Sequence, residues 1–275
     1  MPAPSHPTAF ASTPLIGWRH RPKLWLRVQL GRLMHARLQR RAAPLPTRNT
    51  ATSLVIAPHP DDEVLGCGGL IAHLVAGGES VHIVYLTDGS ASHPGHPVHD
   101  PASIAHLRTE EARRATGLLG VPEAQLTFMH APDGQLPHLP PALRTGLIQR
   151  LQLLISQLRP DQVLVTARTD GSSEHTAAQA LTEEALAGLP AGRPRLLEYL
   201  VWSRWSPRLL QTACRAPATV FRHALSPREA GLKHDALGVF RSQFAPLPPW
   251  TQPVLPPGFA QLFQAPEEYF LEFPH

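Results

Sequence analysis

The chain has 275 residues, 43% of them hydrophobic, enough to bury one large core but with no apolar run near the roughly 20 residues that cross a bilayer. Only Cys67 and Cys214 are present, without a Cys-x-x-Cys pair, which argues against a disulfide framework or a thiolate zinc site and suits a reducing compartment. The formal charge of +4 is uneven: residues 1–50 hold nine Lys or Arg and no Asp or Glu, so the remainder is net acidic.

Arg19, Arg21, Lys23 and Arg27 interrupt any apolar stretch near the N-terminus, so no secretory signal is expected and the protein is predicted to be cytoplasmic. Residues 1–17, rich in Pro, Ser, Thr and Ala, are predicted to be disordered. From Pro22 to Arg41 the pattern changes. Leu26, Leu30, Leu33, Met34 and Leu38 fall near helical spacing, Lys23, Arg27, Arg32, Arg40 and Arg41 occupy much of the remaining surface, and Trp18 and Trp25 stand near the start. Two readings follow for residues 18–41: a basic amphipathic helix lying on the anionic inner face of a membrane, or a helix whose stripe docks on the protein's own core. No nucleic-acid reader motif accompanies the charge, so no nucleic-acid partner is expected. Ala43 to Thr52, with Pro44 and Pro46, reads as a linker between a basic extension, 1–50, and a single domain, 51–275.

From Ser53 apolar strands alternate with helical segments. Strands are predicted at Leu54 to Ala57, Val81 to Leu86, Leu126 to His130 and Val163 to Thr166, with helices near 63–76, 102–118, 141–158 and 174–188. The pattern predicts an α/β fold, a Rossmann-like doubly wound and mostly parallel sheet. Ligands bind such sheets outside the carboxyl ends of the strands, where residues 58–63, Thr87-Asp88-Gly89 and the 167–175 loop all fall. Gly66, Gly68 and Gly69 lie inside a helix rather than in a turn, so they read as close packing points and not as a dinucleotide site. Cys67 among them reads as a small buried residue. His93, His96 and His99 stand three apart in a Pro- and Gly-broken segment, which reads as a mobile rim loop, with a second metal site as the alternative. Beyond Leu189, Leu196 to Trp202 and Thr219 to His223 read as strands and Pro227 to Gln243 as a helix. The proline-rich tail reads as an extended wrapping segment, and this whole region as a cap that shapes a substrate pocket.

The densest chemistry is His59-Pro60-Asp61-Asp62-Glu63, after the apolar run Leu54-Val55-Ile56. Three carboxylates within three residues at the end of a buried strand repel one another and lose hydration, so they call for a cation. Neutral imidazole and carboxylate are both zinc ligands, and Pro60 stiffens the turn that aims them. The competing reading is a solvated helix N-terminus, where acids favour the dipole.

Four blocks resemble the PIG-L or LmbE-like zinc-dependent N-deacetylases: His59-Pro60-Asp61-Asp62-Glu63, Leu86-Thr87-Asp88-Gly89, Arg108-x-x-Glu111-x-x-x-Ala115-x-x-x-Leu119-Gly120, and Asp170 to His175. Weaker echoes are Asp133-Gly134, Glu198-Tyr199-x-x-Trp202, and Lys233-x-x-Ala236 leading to Ser242-Gln243. The resemblance covers roughly residues 53–243. It implies a hydrolase that removes acetyl from an N-acetylglucosamine-type sugar or glycoconjugate, with one divalent metal, zinc or ferrous iron, held by His59, Asp62 and His175. Asp61 would be the general base. Two His and one carboxylate leave zinc an open position for water, whose pKa falls towards about 7.

One block departs from the family pattern. Where the family commonly has His-Pro-Asp-His, this chain has Ser172-Ser173-Glu174-His175, so the last ligand is kept and the assisting His is not. Losing one oxyanion donor costs about 100- to 1000-fold in rate, which keeps open a weak or inactive member that binds sugar or glycolipid at a membrane. The resemblance leaves a further alternative, an amidase that keeps the zinc chemistry but cleaves a different amide, as amidase members of the family do. Ser172, Arg168 or a rim histidine is the candidate replacement donor. Asp170 and Glu174 are read as a helix cap and a partner for the His175 ring, with Asp170 also a substrate contact, and Glu63 as a support behind the site. Asp88 either binds sugar hydroxyls or forms a turn. Arg108 and Glu111, one helical turn apart, read as a structural ion pair with each other or with Glu63.

Overall fold

The computed structural model describes residues 22–46, 52–189 and 193–274, with the side chains of 22–28 left out. The disorder predicted for 1–17, and Trp18 and Trp25 as side chains, fall outside that description. In chain order, α1 is Pro22–Arg41, β1 Ala43–Pro44, β2 Thr52–Ala57, α2 Asp62–Ala76, β3 Ser80–Thr87, α3 Pro101–Leu118, β4 Leu126–Ala131, α4 Pro141–Leu158, β5 Gln162–Thr166, α5 Ser173–Ala187 and β6 Arg195–Tyr199. The C-terminal part adds α6 Trp202–Trp205, α7 Pro207–Arg215, β7 Thr219–Ala224, α8 Pro227–Leu237, α9 Arg241–Phe244 and β8 Glu267–Glu272.

The apolar runs make one sheet in the order β1-β7-β8-β6-β5-β2-β3-β4. From β4 to β6 all neighbours are parallel. Alternate side chains face opposite ways, so β2 splits its residues between two cores. Val55 and Ala57 pack with Leu65, Ala112 and Phe240 under α2, α3 and the C-terminal cap. Leu54 and Ile56 pack with Leu147, Leu151, Ala178 and Leu181 of α4 and α5. The chain order reverses between β2 and β5, which leaves a crevice at their carboxyl ends.

α2 is broken where the glycines sit. Cys67, buried as expected, has φ −144° and ψ 21°, so the helical ladder fails there. Leu65 O, the acceptor Gly69 would use in an unbroken helix, instead receives Lys233 Nζ at 2.8 Å. Glu268 accepts from Gly69 N at 2.7 Å and Leu70 N at 2.8 Å. Lys233 Nζ and Glu268 Oε1 then meet at 2.6 Å, so a buried ion pair splices the ladder and supplies partners for groups the break exposed. The glycines allow the approach: a Cβ on Gly66 would enter the Tyr199 ring, and one on Gly69 the Leu225 side chain.

Several boundaries differ from expectation. The strand predicted at Leu196 to Trp202 ends at Tyr199, and the helix predicted at Pro227 to Gln243 ends at Leu237 before the short α9. The predicted linker contains β1, whose two residues pair with Phe221 and Arg222 of β7. The tail after Phe244, expected to be extended throughout, contains a short 3-10 helix at Ala260–Gln264, and β8 then pairs antiparallel between β6 and β7. Met34 and Leu38 of α1 are buried with Leu210, Ala213 and Val220, so this part of the stripe docks on the protein itself. Leu30 and Leu33 remain exposed, but the membrane-surface alternative gains no support. Among the described residues no helix is long and apolar enough to cross a membrane.

The histidine segment is not a free rim. His93 stacks on Trp250 at 5.3 Å, His96 lies 5.1 Å from the same ring, and His96 Nε2 reaches Leu247 O at 3.2 Å. The tail pins the loop through aromatic contacts that are distant in sequence. His96 Nδ1 accepts the backbone N–H groups of Val98 and His99, so this imidazole already has other partners.

Candidate active site

β2 delivers the motif and β3 clamps it: Thr87 donates from N and Oγ1 to Pro58 O at 3.0 and 2.9 Å. Asp61 then takes φ 137°, a conformation strained for any residue with a Cβ and kept only where the surroundings over-determine it. Its N–H donates to Glu63 Oε2 at 3.0 Å, and Tyr85 Oη donates to Glu63 Oε1 at 2.9 Å. Glu63 is therefore a buried peg beneath the turn, and burial pushes its carboxyl up to about 8. Arg108 holds the turn from the other side, donating to Pro60 O and pairing with Asp61 Oδ2 at 3.2 Å. The predicted Arg108–Glu111 or Arg108–Glu63 pair does not form. Glu111 accepts instead from Ser242 N at 2.8 Å and Ser242 Oγ, a contact that requires the C-terminal cap.

The second half of the site comes from the β5–α5 loop. His175 Nε2 lies 3.4 Å from Asp62 Oδ1, and His59 Nδ1 lies 3.1 Å from Asp62 Oδ2. One ligand atom from each of His59, Asp62 and His175 falls within 4.8 Å of the others. Asp170 takes His175 Nδ1 at 2.7 Å and also accepts from the N–H groups of Val201, Trp202 and Ser203. Burial opposes charging of the His175 ring, but Asp62 and Asp170 outweigh it and push its pKa up to about 9. As a metal ligand the ring must be neutral, and the Asp170 contact then assigns its proton to Nδ1 and leaves the Nε2 lone pair facing Asp62. That Nε2 is buried with no hydrogen-bond partner, a polar atom that a divalent ion would satisfy. The donor set of two imidazoles and one carboxylate fits an ion of the zinc class.

Behind His59, Nε2 meets Glu174 Oε2 at 2.6 Å and Asp133 Oδ1 at 3.2 Å. Glu174 thus orients His59 and not His175, whose ring belongs to Asp170; the helix cap is neither acid but Ser172, which accepts from His175 N at 3.4 Å. Burial raises the Asp61 carboxyl to about 7 against the pull of Arg108. Burial also opposes ionisation of Asp62, but the adjoining His175 and His59 hold it far below the usual carboxylate range. Two neighbours of the same type are therefore set apart by their surroundings.

A cavity of about 470 Å³ opens over these groups. Its polar side includes His59, Asp61, Asp62, Arg108, Asp133 and Ser172, and its apolar side Trp202, Leu209, Leu255 and Phe259, so the C-terminal region does shape the pocket. Arg168 and Asp88 are not part of its lining. Arg168 is tied to Glu198 at 2.7 Å and Glu183 at 3.0 Å with its guanidinium over Phe273, and Asp88 accepts from Ser90 N at 3.0 Å, the turn-forming alternative. Arg108 and Asp133 line the pocket without having been predicted to contact substrate. For both the available signal was the resemblance, in which Arg108 opens the third block and Asp133-Gly134 is a weaker echo; Asp133 also stands beyond the carboxyl end of a predicted strand. Because Asp170 holds a ring nitrogen and three backbone N–H groups at once, Asp170→Asn is expected to weaken divalent-metal affinity about 10- to 100-fold, as chelator competition would measure.

Diacetylchitobiose deacetylase of Thermococcus kodakarensis is 33% identical over 150 residues, 53% of this chain and 53% of that protein, so the chain spans about half the length of this curated relative. A conserved protein of Thermus thermophilus is 30% identical, with a TM-score of 0.51 over 71% of this chain and 80% of that one. The A40926 pseudoaglycone deacetylase is similar in fold, with 20% identity and a TM-score of 0.61 over 82% of this chain and 97% of the other. Residues 54–186, which run from β2 through α5 and contain both halves of the site, match the family described as PIG-L, GlcNAc-PI de-N-acetylase, and the chain belongs to that family.

Proposed function

We propose that this chain is a metal-dependent hydrolase that removes the acetyl group from an N-acetylglucosamine-type amino sugar or glycoconjugate. The observation that carries the reading is the convergence of His59, the Asp62 carboxylate and the buried, unpartnered His175 Nε2 at a cavity lined by His59, Asp61 and Asp62. The likeness to a diacetylchitobiose deacetylase supports the sugar, and Trp202, backed by the buried Phe259, supplies a flat apolar face on which a pyranose ring packs.

His59, Asp62 and His175 would hold one divalent ion, zinc or ferrous iron. Bound there, such an ion supplies Lewis acidity at an amide carbonyl and makes water a stronger acid. Asp61, which lines the cavity beside Asp62, accepts the proton of the water whose oxygen bonds to the carbonyl carbon. The carbon–nitrogen bond then breaks, the proton passes to the leaving nitrogen, and the products are acetate and a free amine. Arg108 keeps the Asp61 carboxylate aimed and balances its charge. Ser172 replaces the assisting His at the N-terminus of α5; its hydroxyl accepts from His175 N and retains its own proton to donate into the cavity.

The short reach of that serine motivates the second reading, a sugar-binding member with little turnover. Purified full-length chain loaded with zinc or ferrous iron is expected to release acetate from N,N'-diacetylchitobiose or from a lipid- or glycopeptide-linked N-acetylglucosamine. Saturable sugar binding without acetate across that panel favours the second reading. Neither binding nor acetate, with the ion in place, removes both.

A further inference from the structure

Away from the cavity, three other ligand-type side chains converge. His73 lies in the last turn of α2, His223 on β7 and Glu229 in the first turn of α8. One ligand atom from each falls within 4.8 Å of the others. His73 Nδ1 is 2.8 Å from Glu229 Oε1, His223 Nε2 is 3.4 Å from Glu229 Oε2, and the two ring centroids are 4.9 Å apart. The His223 side chain is only 8% exposed, and its Nε2 is buried with no hydrogen-bond partner while aimed at the carboxylate. An orphaned buried nitrogen of this kind calls for an explanation, and an ion is one.

We propose that His73, His223 and Glu229 form a second divalent-metal site, of the zinc class, separate from the candidate active site. None of the three residues lines the cavity, and His223 and Glu229 lie outside the residues that match the family. Two imidazoles and one carboxylate are ligands of borderline softness, suited to zinc and its transition-metal neighbours rather than to magnesium or calcium. The partly exposed His73 leaves a route for the ion and room for water at a fourth position. Glu229 Oε2 also accepts Ser226 N at 2.8 Å in the capping box of α8, which fixes the carboxylate before any ion arrives. The site would cross-link the second segment of the broken α2 to α8 and to β7 of the sheet. The ligand-free reading is an ion-pair cluster in which Glu229 faces His73 at 2.8 Å and His223 at 3.4 Å without an ion.

The test uses the full chain, stripped with chelator, dialysed against zinc or cobalt(II), and washed before the metal per chain is counted. His73→Ala removes a solvent-facing ligand with a good helix former, and Glu229→Gln keeps the capping box while removing the charge. Each is expected to hold one equivalent fewer than the unsubstituted chain, with a loss of part of the cobalt absorption. Asp62→Asn reports the active-site ion separately, and combining it with His73→Ala is expected to leave none. If His73→Ala and Glu229→Gln bind as many equivalents as the unsubstituted chain, the second site does not exist, whatever Asp62→Asn shows.

Discussion

Asp61→Asn is expected to lower kcat for acetate release by about 100- to 10,000-fold while leaving the bound divalent ion in place. Asn keeps the size and one acceptor oxygen of Asp but cannot take the proton of the attacking water. The side chain next to it behaves differently: Asp62→Asn is expected to lose the ion, because both His59 and His175 meet that carboxylate. The pair of variants separates proton transfer from metal holding at adjacent positions. Parallel metal analysis and acetate assays read both. If Asp61→Asn released acetate at the parental rate, the role proposed for Asp61 would be wrong.

Glu268→Gln is expected to destabilise the fold by about 3–5 kcal/mol, the usual range for removing one partner of a buried pair. The change leaves the Lys233 ammonium buried beside an uncharged partner and weakens the acceptors for Gly69 and Leu70 at the break in α2. Urea unfolding with a constant m value would measure it. Combining Lys233→Met with Glu268→Gln should cost less than the two single changes added together, since no unpaired charge then remains. Additive losses would mean that the two side chains do not act as one splice.

Much of the site was legible because its chemistry is local. His59, Asp61, Asp62 and Glu63 sit within five residues, so their crowding could be read without knowing the fold, and the alternation of strands and helices put the 167–175 loop at the same end of the sheet. Which acid serves which imidazole was not legible. Asp170 and Glu174 both stand close to His175 in sequence, and only the path of the loop sends Asp170 to that ring and Glu174 across to His59. Arg108 illustrates the same limit: its helical neighbour Glu111 was the obvious partner, yet the buried strained turn at Asp61 and the cap at Ser242 claim the two residues separately.

By itself, then, the sequence determined the α/β class, the parallel sheet and the apolar stripe of α1, features set by spacing along a few residues or by a period of 2 or 3.6, while only the resemblance to the family joined His175 to the first motif. Tertiary structure decided the rest. Strand β8 was hidden because Glu267-Glu268 looks like surface, and Glu268 is tolerable in a buried strand only because Lys233, 35 residues earlier, neutralises it. The histidine loop looked mobile because Trp250, which pins it, is far away in sequence. Long-range charge pairing and aromatic packing leave no local period, so these elements acquire their places only when the chain closes on itself.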